Sequence, residues 1–218
     1  MTIDFYYNPG SGPCRTLLIA AKTFGVEWNK IVLNLMAKEQ LKPEFLKLNP
    51  QHTVPTMVDD GFVLTESRAI LIYLAEKFDK EGKYYPKCMQ KRTLVLQRLM
   101  FDLGTLNKAF GDYFYPQMRE GKPADPAALA KIHDALQYLN IFLEGQTYLV
   151  GDSPTIADMA IATTVSTFEA VNIDIKKYAN IVRWYDQCKT VLPGWNENAE
   201  GIVMFRNFLK NLPQFANL

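Results

Sequence analysis

The chain has 218 residues, 48% apolar and 22% charged, with a formal net charge of +1. This is the composition of a folded chain, large enough to bury a core as one domain or two small ones. The charge gives no electrostatic footprint for nucleic acid or an anionic membrane, and no uncharged apolar run approaches the ~18 residues that span a bilayer.

In chain order, Ile3–Tyr7 predicts a strand, Cys14–Phe24 a helix stopped by Gly25, Trp28–Leu33 a second strand and Lys42–Leu48 a short helix. Thr56–Val58 and Phe62–Leu64 flank Asp59-Asp60-Gly61, and Asp-Gly between apolar runs predicts a hairpin because both residues tolerate positive φ. Ser67–Phe78 follows as a helix with Ile70, Leu74 and Phe78 on one face. The order β-α-β-α-β-β-α mixes a parallel crossover with a terminal hairpin, so residues 1–78 read as an α/β domain. Residues 79–90 begin with the charged run Asp79–Lys83 and read as a linker.

From 91 to 218 the period-2 signal largely disappears and an all-helical domain is expected. Segments near 91–115, 176–192 and 199–210 are helical. Ala127–Leu143 carries a stripe of Leu129, Ile132, Leu136, Leu139 and Leu143. Thr155 and Asp158 form a capping signature ahead of a run, Met159–Val171, that has one charge and predicts a central buried helix. Strand-like sequence from residue 3 leaves no room for a signal peptide, and three scattered cysteines, Cys14, Cys88 and Cys188, suit a reducing, cytoplasmic setting.

Three short stretches carry possible chemistry. Ser11-Gly12-Pro13-Cys14 has the C-x-x-C spacing with serine at the attacking position. Ser11 lacks the companions of a hydrolase: there are two histidines, His52 and His133, no G-x-S-x-G elbow, and His133 is expected on a solvated helix face. At a helix N-terminus, however, a serine hydroxyl can stabilise an anion such as a thiolate. Lowering a thiol pKa by about two units takes roughly 2.7 kcal/mol. A hydrogen bond to a charged group contributes about 1.5–3 kcal/mol and the helix terminus about 0.3–1 kcal/mol. Ser11 as a plain turn or cap residue, and Cys14 as a redox thiol or a core side chain, are the competing readings.

The second stretch is Asn49–Thr56. A cis bond before Pro55 would present the Val54 backbone to an extended peptide, which would pair as another strand; an ordinary proline at a strand start is the alternative. In the third, Glu66-Ser67-Arg68, a carboxylate, a hydroxyl at a helix start and a guanidinium together suit the α-amino-acid end of a ligand, although Ser67 alone would also serve as an N-cap.

Together, in this order, these features resemble the cytosolic glutathione S-transferases, and most closely the insect delta class. The matching segments are FYYNPGSGPCRTL, LKPEFLKLNPQHTVPTMVDDGF, LTESRAILIYLAEK, FDLGTL, FLEGQTYLVGDSPTIAD and the late PGW. The resemblance implies a thioredoxin-like N-terminal domain for glutathione, an all-helical C-terminal domain for the electrophile, and a homodimer. It implies conjugation of the glutathione thiolate to hydrophobic electrophiles in xenobiotic or insecticide detoxification. Dehydrochlorination or peroxide reduction are possible side activities, and a low-turnover glutathione- or ligand-binding protein is the alternative. Glutathione is then the co-substrate, with no metal or prosthetic group.

By the same resemblance Ser11 stabilises the thiolate, and Val54, with Pro55 cis, bonds the cysteinyl backbone. Glu66 and Ser67, with help from Arg68, hold the γ-glutamyl end, and His52 the glycyl carboxylate. Gln40 stands near the glycyl end where many delta enzymes have histidine, and Asn107 replaces a frequent tyrosine in the helix that faces the second substrate. Asn107, Phe110, Tyr113, Phe114, Tyr115, Phe205 and Phe208 are the expected electrophile-pocket residues.

Overall fold

A mixed sheet of order β2-β1-β3-β4 organises the first part of the computed structural model, which describes residues 2–217. Its strands are β1 (Ile3–Tyr7), β2 (Trp28–Val32), β3 (Thr56–Asp59) and β4 (Phe62–Thr65). β1 runs parallel to β2, with Phe5 opposite Lys30, and antiparallel to β3, with Phe5 opposite Met57. β3 and β4 form the expected hairpin, closed by Asp60 and Gly61 at φ 50° and 80°. Helices α1 (Gly12–Phe24), α2 (Pro43–Leu48) and α3 (Ser67–Phe78) complete this unit. Pro13 lies in the first turn of α1, where its missing N–H costs nothing, and Gly25 ends the helix at φ 67°.

The remaining helices are α4 (Met89–Phe101), α5 (Asn107–Glu120), α6 (Pro126–Phe142), α7 (Ile156–Ala170), α8 (Ala179–Val191) and α9 (Trp195–Lys210). This is the expected α/β domain followed by an all-α one. α4 and α5 form a single rod joined through one wide turn, Asp102–Leu106, in which the Asn107 N–H bonds back to the Asp102 carbonyl. The sequence read this stretch as a plain helical segment, because a one-residue change in hydrogen-bond spacing leaves the apolar pattern almost intact.

α7 is the buried axis. Asp158 at its start is fully buried and accepts hydrogen bonds from Leu149 N, Thr155 N and Trp184 Nε1 at 3.0, 2.7 and 2.8 Å. The segment expected as a linker is tied down. The Asp79 carboxylate takes the backbone N–H groups of Lys83, Tyr84 and Tyr85, and Tyr84 O accepts the N–H of Ile156. His133 also departs from expectation: it is half-buried, its Nδ1 3.1 Å from the Tyr178 hydroxyl, because the turn before α8 folds over that face of α6. α1 is covered by α3 on one side and by α7 and α9 on the other, so its buried residues run unbroken from Cys14 to Ala21. That sandwich fixes the orientation of its N-terminus.

Candidate active site

The loop between β1 and α1 is held from both ends. Asn8 Nδ2 donates to Leu33 O and its Oδ1 accepts from Gly10 N, while Ser11 N donates to Asn8 O at 3.0 Å. Ser11 is the N-terminal boundary residue of α1, with extended backbone, and its side chain caps none of the helix N–H groups. The hydroxyl is therefore not consumed by the structural task a serine at this position usually performs. Cys14, one turn further on, is fully buried; burial pushes its thiol up to about 11 against hydrogen bonds from the Ser11 side chain and the Asn8 backbone. A thiol so protonated and enclosed is a packing residue and a poor candidate for disulfide exchange.

Beyond β2, the buried amide of Asn49 shapes the loop to β3. Its Nδ2 donates to Thr53 O, Thr53 Oγ1 and Thr56 Oγ1, and its Oδ1 accepts from Gln51 N. The Val54–Pro55 bond is cis. Among the described residues neither the N–H nor the C=O of Val54 has a partner, so both remain free for an extended ligand. At the end of β4, Glu66 is exposed with φ 65°, an uncommon conformation for a non-glycine residue that turns the chain into α3. Ser67 and Arg68 are buried behind it, with Arg68 Nη1 donating to Ser67 Oγ at 2.7 Å. Arg68 Nη2 is ion-paired with Asp102, whose other oxygen accepts from Thr164 Oγ1 at 2.8 Å. Arg68 thus orients Ser67 from beneath, tied to the wide turn between α4 and α5.

Pro13, the Thr53–Pro55 segment and the Glu66–Arg68 corner open on one cleft of about 410 Å³. One wall is Pro13, Thr53, Val54, Pro55, Glu66, Ser67 and Arg68; the other is Leu103, Asn107, Gly111 and Tyr115, with Lys108 and Asp112 beside them. Ser11 itself is not among the lining residues; it stands at the same end of α1, two residues before Pro13. His52 (φ 49°, exposed) and Gln40, in the turn Glu39–Leu41, do not line this cleft. Gln40 makes one long contact, Nε2 to Leu35 O at 3.5 Å, and its buried Oε1 has no partner among the described residues.

On the second wall the sequence reading needs correction. Of the residues expected there, Asn107 and Tyr115 line the cleft. Phe110 and Phe114 turn into the core, stacked on each other at 5.0 Å, with Phe110 also 5.2 Å from Phe168. Tyr113, Phe205 and Phe208 are partly buried against that core, and none of the three lines the cleft. Successive helical residues are about 100° apart, so an aromatic run cannot face one cavity. The signal that finds this wall is the four-residue spacing of Leu103, Asn107, Gly111 and Tyr115. Gly111 has a role of its own, because a Cβ there would meet the Tyr115 ring at 3.3 Å.

Two family models match: the glutathione S-transferase N-terminal domain over residues 1–76 and the C-terminal domain over residues 62–190. The chain belongs to the glutathione S-transferases. Its structure resembles a delta-class glutathione transferase of Nilaparvata lugens, at 48% identity and a TM-score of 0.93, covering 96% of this chain and 99% of that one. A Bombyx mori glutathione transferase is 38% identical with a TM-score of 0.92, covering 96% and 98%. An epsilon-class enzyme of Musca domestica is 31% identical with a TM-score of 0.90, with the same coverage. The sheet-plus-helices unit followed by the helical bundle is thus the transferase fold, and glutathione is the co-substrate of the reaction.

Proposed function

We propose that this transferase binds glutathione along the Pro13–Arg68 wall, with its sulfur beside the Ser11 hydroxyl, and conjugates it to hydrophobic electrophiles held against Leu103, Asn107, Gly111 and Tyr115. The observation that carries the assignment is the Ser11 hydroxyl, at a helix N-terminus and free of any capping bond, next to a cleft rimmed by an unpaired backbone N–H and C=O at Val54. The cysteinyl amide of glutathione pairs with Val54. Glu66 takes the ammonium of the γ-glutamyl end, while Ser67, steadied by Arg68, takes its carboxylate. His52 and Gln40 serve the glycyl end from outside the cleft wall.

The thiol proton leaves to solvent and Ser11 donates to the sulfur. The thiolate then attacks the electrophilic carbon, forming the C–S bond as the leaving group departs with the bond pair. A lone hydrogen bond to an anion and the α1 terminus together supply about the 2.7 kcal/mol that a two-unit drop in thiol pKa requires. Residues 1–78 form the glutathione-binding unit and residues 91–218 the electrophile-bearing unit, with 79–90 between them. Three free cysteines fit a reducing cytosol. A homodimer is supported by apolar side chains left exposed on α4 and α6, among them Leu94, Met100 and Ile141.

Thiolate absorbance of bound glutathione, followed against pH in the wild type and Ser11→Ala, tests the central assignment. The wild type should titrate about two units below free glutathione, and the variant close to it. Identical curves in the two proteins would remove Ser11 from the mechanism. Turnover with a chloronitroarene should follow the same curve, rising with pH through the thiol pKa.

A further inference from the structure

Arg15 is a guanidinium with no surface exposure and, among the described residues, no carboxylate partner. It reaches from α1 into the joint with α7 and α9, where its neighbours are neutral oxygens: Ser166 Oγ at 3.0 Å, Asn198 Oδ1 at 2.5 Å and Thr167 Oγ1 at 2.6 Å. Its Nε is buried without a partner among the described residues. A lone buried charge is costly, and a cation near the positive end of a helix dipole costs more. The fold nevertheless keeps it there. Arg68, a second buried guanidinium and one that lines the cleft, has its counter-charge in Asp102.

The position suggests what the missing counter-charge is. Arg15 Nη2 lies 3.5 Å from where a Cβ on Gly12 would stand, under the first turn of α1, and the Arg15 N–H closes that turn on the Ser11 carbonyl at 2.9 Å. We infer that Arg15 is a positioning residue whose uncompensated charge, held under the α1 N-terminus, favours the glutathione thiolate at Ser11. This rests on the Ser11 assignment above. The titratable groups facing Arg15 do not cancel it. Cys14 is kept protonated by burial, and Tyr185 on α8, likewise raised by burial, donates its hydroxyl to Glu169. On α9, Glu197 is paired with Lys22 at 3.5 Å, and on α3 Arg68 is neutralised by Asp102. α7 offers the guanidinium hydroxyls only, apart from Glu169 at its exposed face.

Asn198→Asp isolates the field from the packing. It is isosteric, leaves Arg15 in place and sets a carboxylate on the guanidinium. Neutralising a unit charge within about 10 Å, at an effective dielectric near 20, raises the thiol pKa by about one unit. Thiolate absorbance of bound glutathione against pH should therefore shift alkaline by about one unit in Asn198→Asp, with unfolding by urea no easier than in the wild type. Arg15→Gln should shift the same way, and Arg15→Lys should keep the wild-type value. If Ser11→Ala moves the thiol pKa while Asn198→Asp leaves it unchanged, Arg15 is structural only and the inference fails. If Ser11→Ala leaves it unchanged but Asn198→Asp raises it, the Ser11 assignment fails and the field of Arg15 stands.

Discussion

Asp102 is the residue on which the two parts of the chain meet chemically. One carboxylate oxygen holds Arg68 and the other accepts from Thr164 on α7, so a single buried acid links α3, the α4–α5 rod and the central helix. Removing one partner of a buried pair strands the other, which typically costs about 3–5 kcal/mol. Asp102→Ala should lower unfolding stability in urea by that order and weaken glutathione binding, because Arg68 loses the anchor from which it orients Ser67. Asp102→Asn, which retains hydrogen-bond capacity without the charge, should lose less of both. Equal losses in the two variants would mean that charge is all that matters at this position. The resemblance gave Arg68 a helping part beside Glu66 and Ser67; in the structure it lines the cleft while its guanidinium also donates to Ser67 Oγ and pairs with Asp102.

The element that ties these contacts together is α7. Thr164 serves Asp102, while Ser166 and Thr167 serve Arg15, so the register of this helix sets both buried guanidiniums. Its start is fixed by Thr155, whose side chain accepts from Ala157 N and donates to Asp158 at 2.8 Å. Thr155→Val keeps the shape and loses the cap, so it should cost about 1–2 kcal/mol in denaturant unfolding. Thr155→Ser should remain near wild type, and a Val variant as stable as the Ser variant would show that Asp158 alone holds the helix. This box was legible beforehand because a capping signature is local, as were the Asp60-Gly61 turn and the all-round apolar character of α7. The partners of Arg15, more than 150 residues away in the chain, were not, and neither was the 34-residue step from Arg68 to Asp102. Nothing local in a sequence marks which distant hydroxyl a guanidinium will find. On α5 the cleft-lining residues follow the four-residue spacing through Gly111, whereas aromatic content alone points to side chains such as Phe110 and Phe114 that pack in the core.

At the scale of the whole molecule, the transferase leaves one face unexplained by its own packing. Leu94 on α4 is 44% exposed and Ile141 on α6 is 51% exposed, and they line a shared groove with Arg98 and Phe142. The Arg98 guanidinium lies 3.8 Å from the centre of the Phe142 ring, and its buried Nε has no partner among the described residues. Exposed apolar side chains around a planar cation, in a groove that also holds Lys91, Glu144 and Gln146, suit burial against a second copy. In a two-fold interface each substitution acts twice, so a charge placed there is felt on both sides. Sedimentation should give twice the 24.9 kDa chain mass for the wild type, and the Leu94→Glu, Ile141→Glu double variant should sediment as a monomer with its helical content retained. Because α4 continues into the turn bearing Asp102, that monomer should also bind glutathione more weakly than the dimer. A wild-type monomer at micromolar concentration would show that the face is covered by something else, and a monomeric variant with undiminished glutathione affinity would show that the rod does not carry the dimer contact to the cleft.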